Sequence, residues 1–213
     1  VNSVASGLLE GDVEALVPAK PAALVLSKCN GPEDVIHLDT LLRAAESRAK
    51  LPPSSIQIVP LIERIRGLDK AEEVAVASDR VVALGIGATD LGEEFGYRRS
   101  FRGLELETLW ARSRIVFAAH LNGIAAIDSG FIAFGDYTMD EVAEQAAWSF
   151  RLGFDYRMVL HANQIDAVNR AHGPSPEDVA WATRTLDSVM ADSPYGFVER
   201  ARKILAHHRQ TSA

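Results

Sequence analysis

Two carboxylates, Glu63 and Asp90, stand where chemistry is easiest to place. Each ends a short apolar run: "IQIVPLIE" at 56–63 and "VVALGIGATD" at 81–90. If these runs are neighbouring parallel strands, both carboxylates emerge at the same end and can converge on one cation. Mg²⁺ suits such a pair, because proteins hold it by one or two carboxylates and leave the other positions to water and substrate oxygens. The structural alternatives are an ion pair between Glu63 and Arg64 or Arg66, and a helix-capping role for Asp90. Gly85, Gly87 and Ala88 lack bulk, so a ligand carboxylate could approach the backbone N–H groups of this loop directly. A tight turn that merely joins strand to helix explains the same small residues.

Three further polar residues close apolar runs: Lys28 after "AALVLS", Asp128 in "IAAIDS" and His161 after "RMVL". Lys28 is expected to be an ion-pair partner, since a Schiff-base role needs a desolvated amine. Asp128 is expected to anchor a loop or helix start, and His161 to be a hydrogen-bonded rim histidine. The chain has one cysteine, Cys29. It cannot form an internal disulfide, which predicts a reducing, cytoplasmic setting. No Ser-His-Asp arrangement and no Cys/His zinc spacing can be placed.

The elements that must position these residues follow one rhythm: an apolar run, a polar residue at its end, then a helical stretch. "AALVLSK" (22–28) leads to "GPEDVIHLDTLLRAAESRA", with Pro32 in a first turn and Val35, Leu38, Leu41, Leu42 and Ala45 at helical spacing. "VVALGIGATD" leads to a helix at about 104–122 closed by Gly123, and "IAAIDS" to "MDEVAEQAAWSFRLG", closed by Gly153. "RMVLHANQ" (157–164) leads to "SPEDVAWATRTLDSVM", where Ser175 and Asp178 have capping-box spacing. A basic amphipathic helix, "FVERARKILAHHR", ends the chain. Such repeated strand–helix units predict a parallel α/β sheet with both faces covered. The polar strand ends recur at roughly 27 to 38 residues, the repeat of a TIM (β/α)₈-type barrel whose site gathers at strand C-termini. No G-x-G-x-x-G opens a helix, which weakens a dinucleotide-binding sheet. A barrel needs eight strands, and five are legible.

Composition narrows the partners. With 213 residues the chain can build one sizeable core, and its formal charge of −7 opposes a nucleic-acid surface. The basic stretch "GYRRSFRG" at 96–103 is expected to be a solvated loop. No apolar run approaches the roughly 18 residues of a membrane span, so a membrane partner is not expected.

"PLIERIRGLDKAEEVA", "VVALGIGATDLGEEFG", "GIAAIDS" and "LGFDYRMVLHANQIDAVN" resemble, in order and spacing, the HpcH/HpaI aldolase/citrate lyase family. The similarity is greatest to its citrate lyase β-subunit and malyl-CoA lyase branch. The resemblance implies a Mg²⁺-dependent (β/α)₈ barrel that cleaves a carbon–carbon bond in 3-hydroxy-acyl-CoA thioesters. By position it implies Glu63 and Asp90 as metal ligands. It makes Gly87, Ala88 and Thr89 the substrate-binding loop, its N–H groups meeting the substrate's carboxylate. It also implies a homo-oligomer, a trimer or hexamer, and a small-molecule acyl-CoA or 2-oxo acid substrate. On this alignment the five strands are strands 4–8, followed by C-terminal helices. The barrel domain would span 1–190 and a helical extension 191–213.

The sequence departs from the family at several points. Members carry three earlier strands, the third ending in Arg-x-Asn, whereas this chain opens on Val1-Asn2. Either the sequence is incomplete at its start or this is a truncated relative without that arginine. "DYRM" and "HANQ" replace the family's Gly-Lys and His-Pro around the last strand, and a segment usual between Gly196 and Phe197 is absent. The catalytic acid/base is left unassigned. Two rivals follow: a metal-dependent pyruvate-type aldolase without CoA, and a non-catalytic citrate lyase-like subunit.

Overall fold

The apolar runs become the strands of one parallel sheet. The computed structural model describes residues 1–132, 136–188 and 195–211. Its strands are β1 (Ala23–Leu26), β2 (Gln57–Ile62), β3 (Ala83–Ile86), β4 (Ala125–Asp128) and β5 (Tyr156–Arg157). They lie in sequence order, every neighbouring pair parallel. The helices α1 (Leu9–Leu16), α2 (Pro32–Arg48), α3 (Ile65–Asp69), α4 (Ala71–Ala75), α5 (Ala88–Phe95) and α6 (Leu109–Leu121) precede or join β1 to β4. After them come α7 (Met139–Leu152), α8 (Ile165–His172), α9 (Pro176–Asp187) and α10 (Tyr195–Thr211).

Sequential strand order matters because parallel crossovers share one hand, so the connecting helices collect on one face of the sheet. There, Leu24, Leu26, Ile58, Ile62, Leu84, Ile86 and Ala126 meet Val35, Leu38 and Leu42 of α2, Val74 of α4 and Ile115 of α6. Burying each of the larger side chains contributes about 1.5–3 kcal/mol. The strand register puts Val25, Val59, Leu61, Gly85, Ile127 and Tyr156 on the opposite face. Val25 and Tyr156 are 42% and 62% exposed, so this face is only partly covered, against the expectation that both would be. Apolar composition alone does not distinguish a strand packed on two faces from one packed on one.

Three further boundaries differ from the expected ones. The run 81–90 holds a strand only over Ala83–Ile86, and α5 begins inside it at Ala88 where a loop was expected. The last strand, expected over 157–164, is Tyr156–Arg157 alone, and Ala162–Gln164 is a 3₁₀ turn. Pairing stops where β4 stops: Tyr156 and Arg157 match Ile127 and Asp128, and the Met158 N–H bonds the Asp128 carbonyl. The helix expected from about 104 becomes regular only at Leu109, because Glu105 is left-handed at φ 46° and turns the chain before it. The capping box of Ser175 with Asp178 is formed in both directions, and Gly153 closes α7 at φ 103°. α10 packs on α9, with Phe197 edge-on to Trp181 at 6.5 Å and the Arg200 guanidinium 5.4 Å from the Trp181 ring. The boundary expected at 190/191 lies outside the described residues. Among the described residues no helix is long and apolar enough to cross a membrane.

Candidate active site

The carboxyl ends of β1, β2 and β3 bring Lys28, Glu63 and Asp90 together. Glu63 directly follows β2, and its Oε2 accepts a hydrogen bond from the Lys28 backbone N–H at 2.9 Å. Lys28 itself is left-handed at φ 51°, an uncommon conformation for a residue with a side chain. Its Nζ reaches Asp90 Oδ2 at 2.7 Å. Asp90 lies in the first turn of α5, after Gly87 at the N-cap, where the helix dipole favours a carboxylate. It is therefore a first-turn acid rather than the cap.

Gly87 makes the convergence possible. A Cβ there would stand 2.3 Å from Glu63 Oε1 and 2.4 Å from Glu63 Cγ, so the Glu63 side chain lies directly across the glycine backbone. Gly87→Ala should push this flexible carboxylate aside without disturbing the sheet. The expected result is cation affinity reduced roughly 10–100-fold, the range for disturbing a ligand's support, with little change in thermal midpoint. Isothermal titration with Mn²⁺ and a melting curve on the same sample check both halves. Gly85 plays a different part: it lies inside β3 beneath Leu61, whose Cδ1 would be 2.9 Å from an added Cβ. The Gly87 N–H is taken by the Ile62 carbonyl at 2.9 Å. The amides left to a ligand in this turn are those of Ala88, Thr89 and Asp90.

Electrostatics favour a cation here. Burial pushes the Glu63 carboxyl above its usual range, and the neighbouring charge of Asp90 acts in the same direction. The Lys28 amide and ammonium oppose the shift without cancelling it. Lys28 is held more basic than usual by its hydrogen bond to Asp90 and by that carboxylate's charge. Two carboxylates thus face one ammonium, leaving the cluster net negative when all are ionised. Hard oxygen donors, only two in number, fit Mg²⁺ with water or substrate completing its shell. No group of three or more His, Cys, Asp or Glu that could hold a metal occurs among the described residues.

Other expected residues lie elsewhere. Arg66 turns to Glu33 at 3.0 Å, not to Glu63. Lys28 is an ion-pair partner, as expected. Cys29 is fully buried, and burial pushes its thiol up to about 12, so it is no nucleophile. His161 is exposed, and its carbonyl accepts from the Gln164 N–H.

Asp128 anchors the loop after β4 as expected, its Oδ1 accepting from the Ser129 N–H at 2.8 Å, but it also pairs with two arginines. It is fully buried, with Arg112 Nε at 3.2 Å and Arg157 Nη1 at 3.0 Å. "GYRRSFRG" differs from a solvated loop, because Arg99 is buried and paired with both Glu105 oxygens. The Asp128 pairs went unread because their partners lie apart in sequence and on different elements, and the Arg99–Glu105 pair because the loop's left-handed turns at Phe101 and Glu105 fold it back on itself. One signal was available: Arg112 sits on the apolar stripe of α6 with Ala111, Ile115, Ala118 and Ala119, and an arginine there must find an acid.

Residues 1–162, which include every member of this cluster, match the model of the HpcH/HpaI aldolase/citrate lyase family. The chain belongs to that family. Within it, the chain is 29% identical over 197 residues to citrate lyase subunit beta of Escherichia coli K12, covering 92% of this chain and 64% of that protein. It is 32% identical over 195 residues to human mitochondrial citramalyl-CoA lyase, covering 87% and 56%. The chain thus spans less than two thirds of the length of these two relatives. A crystal structure of CitE from Mycobacterium tuberculosis, in complex with magnesium, acetoacetate and coenzyme A, superposes with a TM-score of 0.77. Identity there is 26%, covering 98% of this chain and 76% of that one. Among HpcH/HpaI proteins, then, this chain is similar to enzymes named as lyases and to a magnesium-bound structure.

Proposed function

We propose that the chain is the cation-binding part of a Mg²⁺-dependent carbon–carbon lyase. Its substrate would be a 3-hydroxy-acyl-CoA thioester such as citryl-CoA, citramalyl-CoA or malyl-CoA, and its products a 2-oxo acid and acetyl-CoA or a relative. The observation that carries this reading is the convergence of Glu63 and Asp90 across Gly87 at the strand ends. On the same reading the sheet is the arc of strands 4–8 of a (β/α)₈ barrel, and its partly covered face is the barrel interior. Sequential parallel order supports this, because doubly wound sheets reverse their strand order. The assembly would be a homo-oligomer, a trimer or hexamer, in the cytoplasm.

Glu63 and Asp90 would hold the metal, which when bound acts as a Lewis acid on substrate oxygens. The first-turn amides of Ala88, Thr89 and Asp90 meet a substrate carboxylate, as helix N-termini meet anions. Lys28 balances part of the carboxylate charge through its pair with Asp90. In the cleavage the hydroxyl proton leaves to a base, and the oxygen becomes the 2-oxo carbonyl as the carbon–carbon bond breaks. The electron pair passes to the thioester fragment as an enolate, which takes up a proton at carbon to give acetyl-CoA or its relative.

The Lys28–Asp90 ion pair favours a second reading, in which the ammonium replaces a metal and the chain is a non-catalytic citrate lyase-like subunit. A substrate panel separates them: the three CoA thioesters and CoA-free 2-oxo acid aldols, each with Mg²⁺ and with EDTA. Cleavage of a thioester only with Mg²⁺ is expected. Cleavage of CoA-free aldols alone would make the protein a pyruvate-type aldolase. Binding without cleavage would favour the non-catalytic subunit.

A further inference from the structure

Asp90 can serve a cation only if the first turn of α5 is held in place. Ala88 and Leu91 are buried and the Gly87 N–H is tied to the Ile62 carbonyl, but the turn lacks a side-chain cap of its own. α5 has eight residues, its N-cap is a glycine, and no side chain caps it. Besides the Lys28–Asp90 pair and a long contact from the Tyr97 hydroxyl to the Ala88 carbonyl at 3.5 Å, Arg99 reaches it, its Nη1 donating to Thr89 Oγ1 at 2.6 Å. The other nitrogens of this buried arginine are committed elsewhere: Nε donates to Glu105 Oε1 at 2.8 Å and Nη2 to Oε2 at 2.9 Å. From Glu105 a chain of charges runs through Arg112, at 2.8 Å, to Asp128, and from Asp128 to Arg157. Arg157 ends it on the carbonyl and side-chain oxygens of Gln145 in α7. All five charged residues are buried.

The loop that carries Arg99 is itself constrained. Phe101 and Glu105 are left-handed, at φ 58° and 46°, conformations that persist in such residues only where the surroundings over-determine them. The Arg99 guanidinium lies 5.1 Å from the Phe101 ring centre. One end of this assembly is thus rooted in β4, β5 and α7, and the other ends on a single hydroxyl, one residue before Asp90.

We propose that Thr89 and Arg99 are positioning residues for the cation site. The buried ion-pair chain anchors Arg99, and Arg99 fixes, through the Thr89 hydroxyl, the turn that presents Asp90. The consequence for metal affinity rests on the cation reading of Glu63 and Asp90, whereas the anchoring rests on geometry alone. Partners that orient metal ligands from outside their shell are worth roughly 10–100-fold in affinity.

The test uses the full chain with Thr89→Val, which keeps the shape and removes the hydroxyl, and Thr89→Ser, which restores it. Three quantities are read: Mn²⁺ affinity by isothermal titration, amide hydrogen exchange at Leu91 and Gly92, and the thermal midpoint. The Leu91 N–H makes the first bond of this turn, to the Gly87 carbonyl. Thr89→Val should weaken Mn²⁺ about tenfold or more and speed exchange at Leu91, with the midpoint lowered because the buried Arg99 Nη1 loses its acceptor. Thr89→Ser should return all three. Arg99→Lys should reproduce the Thr89→Val effects, with a still lower midpoint because Glu105 loses its paired fork. Unchanged exchange and affinity in Thr89→Val would overturn the proposal, and so would failure of Thr89→Ser to restore them. If the unaltered chain takes up no Mn²⁺, the cation reading fails by itself, and the exchange arm still decides the anchoring.

Discussion

Asp90→Asn should weaken Mg²⁺ or Mn²⁺ binding by at least about 100-fold, the upper range for losing a ligand's supporting partner, and abolish any metal-dependent cleavage with it. Asparagine keeps the size of the side chain and one oxygen, so the loss reports charge rather than packing. The fold should survive. Asp90 is 37% exposed, and its interaction with the α5 dipole is worth only about 0.3–1 kcal/mol. Glu63→Gln should lose the cation equally while melting no lower than the parent. Its carboxyl is raised in the folded protein, so the fold disfavours the charged form, and a neutral amide removes that cost. The same shift sets the acid limit of binding. Glu63 takes up its proton at a higher pH than a free glutamate, whose usual value is 4.5, so cation affinity should start to fall above that pH. Titrations with Mn²⁺ between pH 4 and 8 test this.

The largest expected effect on stability lies at the opposite end of the sheet. Arg80, just ahead of β3, is 1% exposed and bonds Asp39 Oδ1 at 2.6 Å, both Glu46 oxygens at 2.9 and 2.7 Å, and the Ile56 carbonyl at 2.9 Å. Glu46 is 2% exposed. Arg80→Met would leave its carboxylate buried with only the amides of Ser54 and Ile56 and the Ser55 hydroxyl. Breaking one side of a buried pair costs about 3–5 kcal/mol, which urea denaturation at neutral pH measures.

The pH dependence follows with its sign. Burial would raise the Glu46 carboxyl, but the hydrogen bonds and charge of Arg80, with the Ile56 and Ser54 amides, outweigh it and hold it at about 2. A depressed carboxyl stabilises the fold fully above its unfolded value of about 4.5, and the contribution is lost as pH falls toward 2. Arg80→Met should lose much of this acid dependence. Equal slopes of stability against pH in both proteins would contradict the assignment.

The carboxylates of the candidate site were legible because strand rhythm is legible. Once "IQIVPLIE" and the start of "VVALGIGATD" are neighbouring parallel strands, Glu63 and Asp90 fall at the same end of the sheet; that Asp90 rides on the first turn of α5 rather than closing the strand was not legible. Helix caps are local, so the Ser175 and Gly153 signals could be read within a few residues. The last strand could not be, since its length depends on where β4 ends rather than on its own apolar residues. The ion-pair chain from Arg99 to Arg157 was hidden for a related reason. Glu105 and Asp128 are 23 apart in sequence by their numbers, and only the path of the loop before α6 and the ends of β4 and β5 bring their arginines between them. A basic string such as "GYRRSFRG" therefore reads as surface until an acid is known to face it. The open sheet face was hidden because apolar strands look alike whether one side or both are packed.

The most direct test of the central claim is a crystal structure of the unaltered chain grown with Mn²⁺, with anomalous data collected at the manganese edge. The expected result is one peak touching both the Glu63 and Asp90 carboxylates, with Lys28 Nζ withdrawn from Asp90. No peak at this position, with the Lys28–Asp90 pair intact and saturating Mn²⁺ in the crystal, would contradict it.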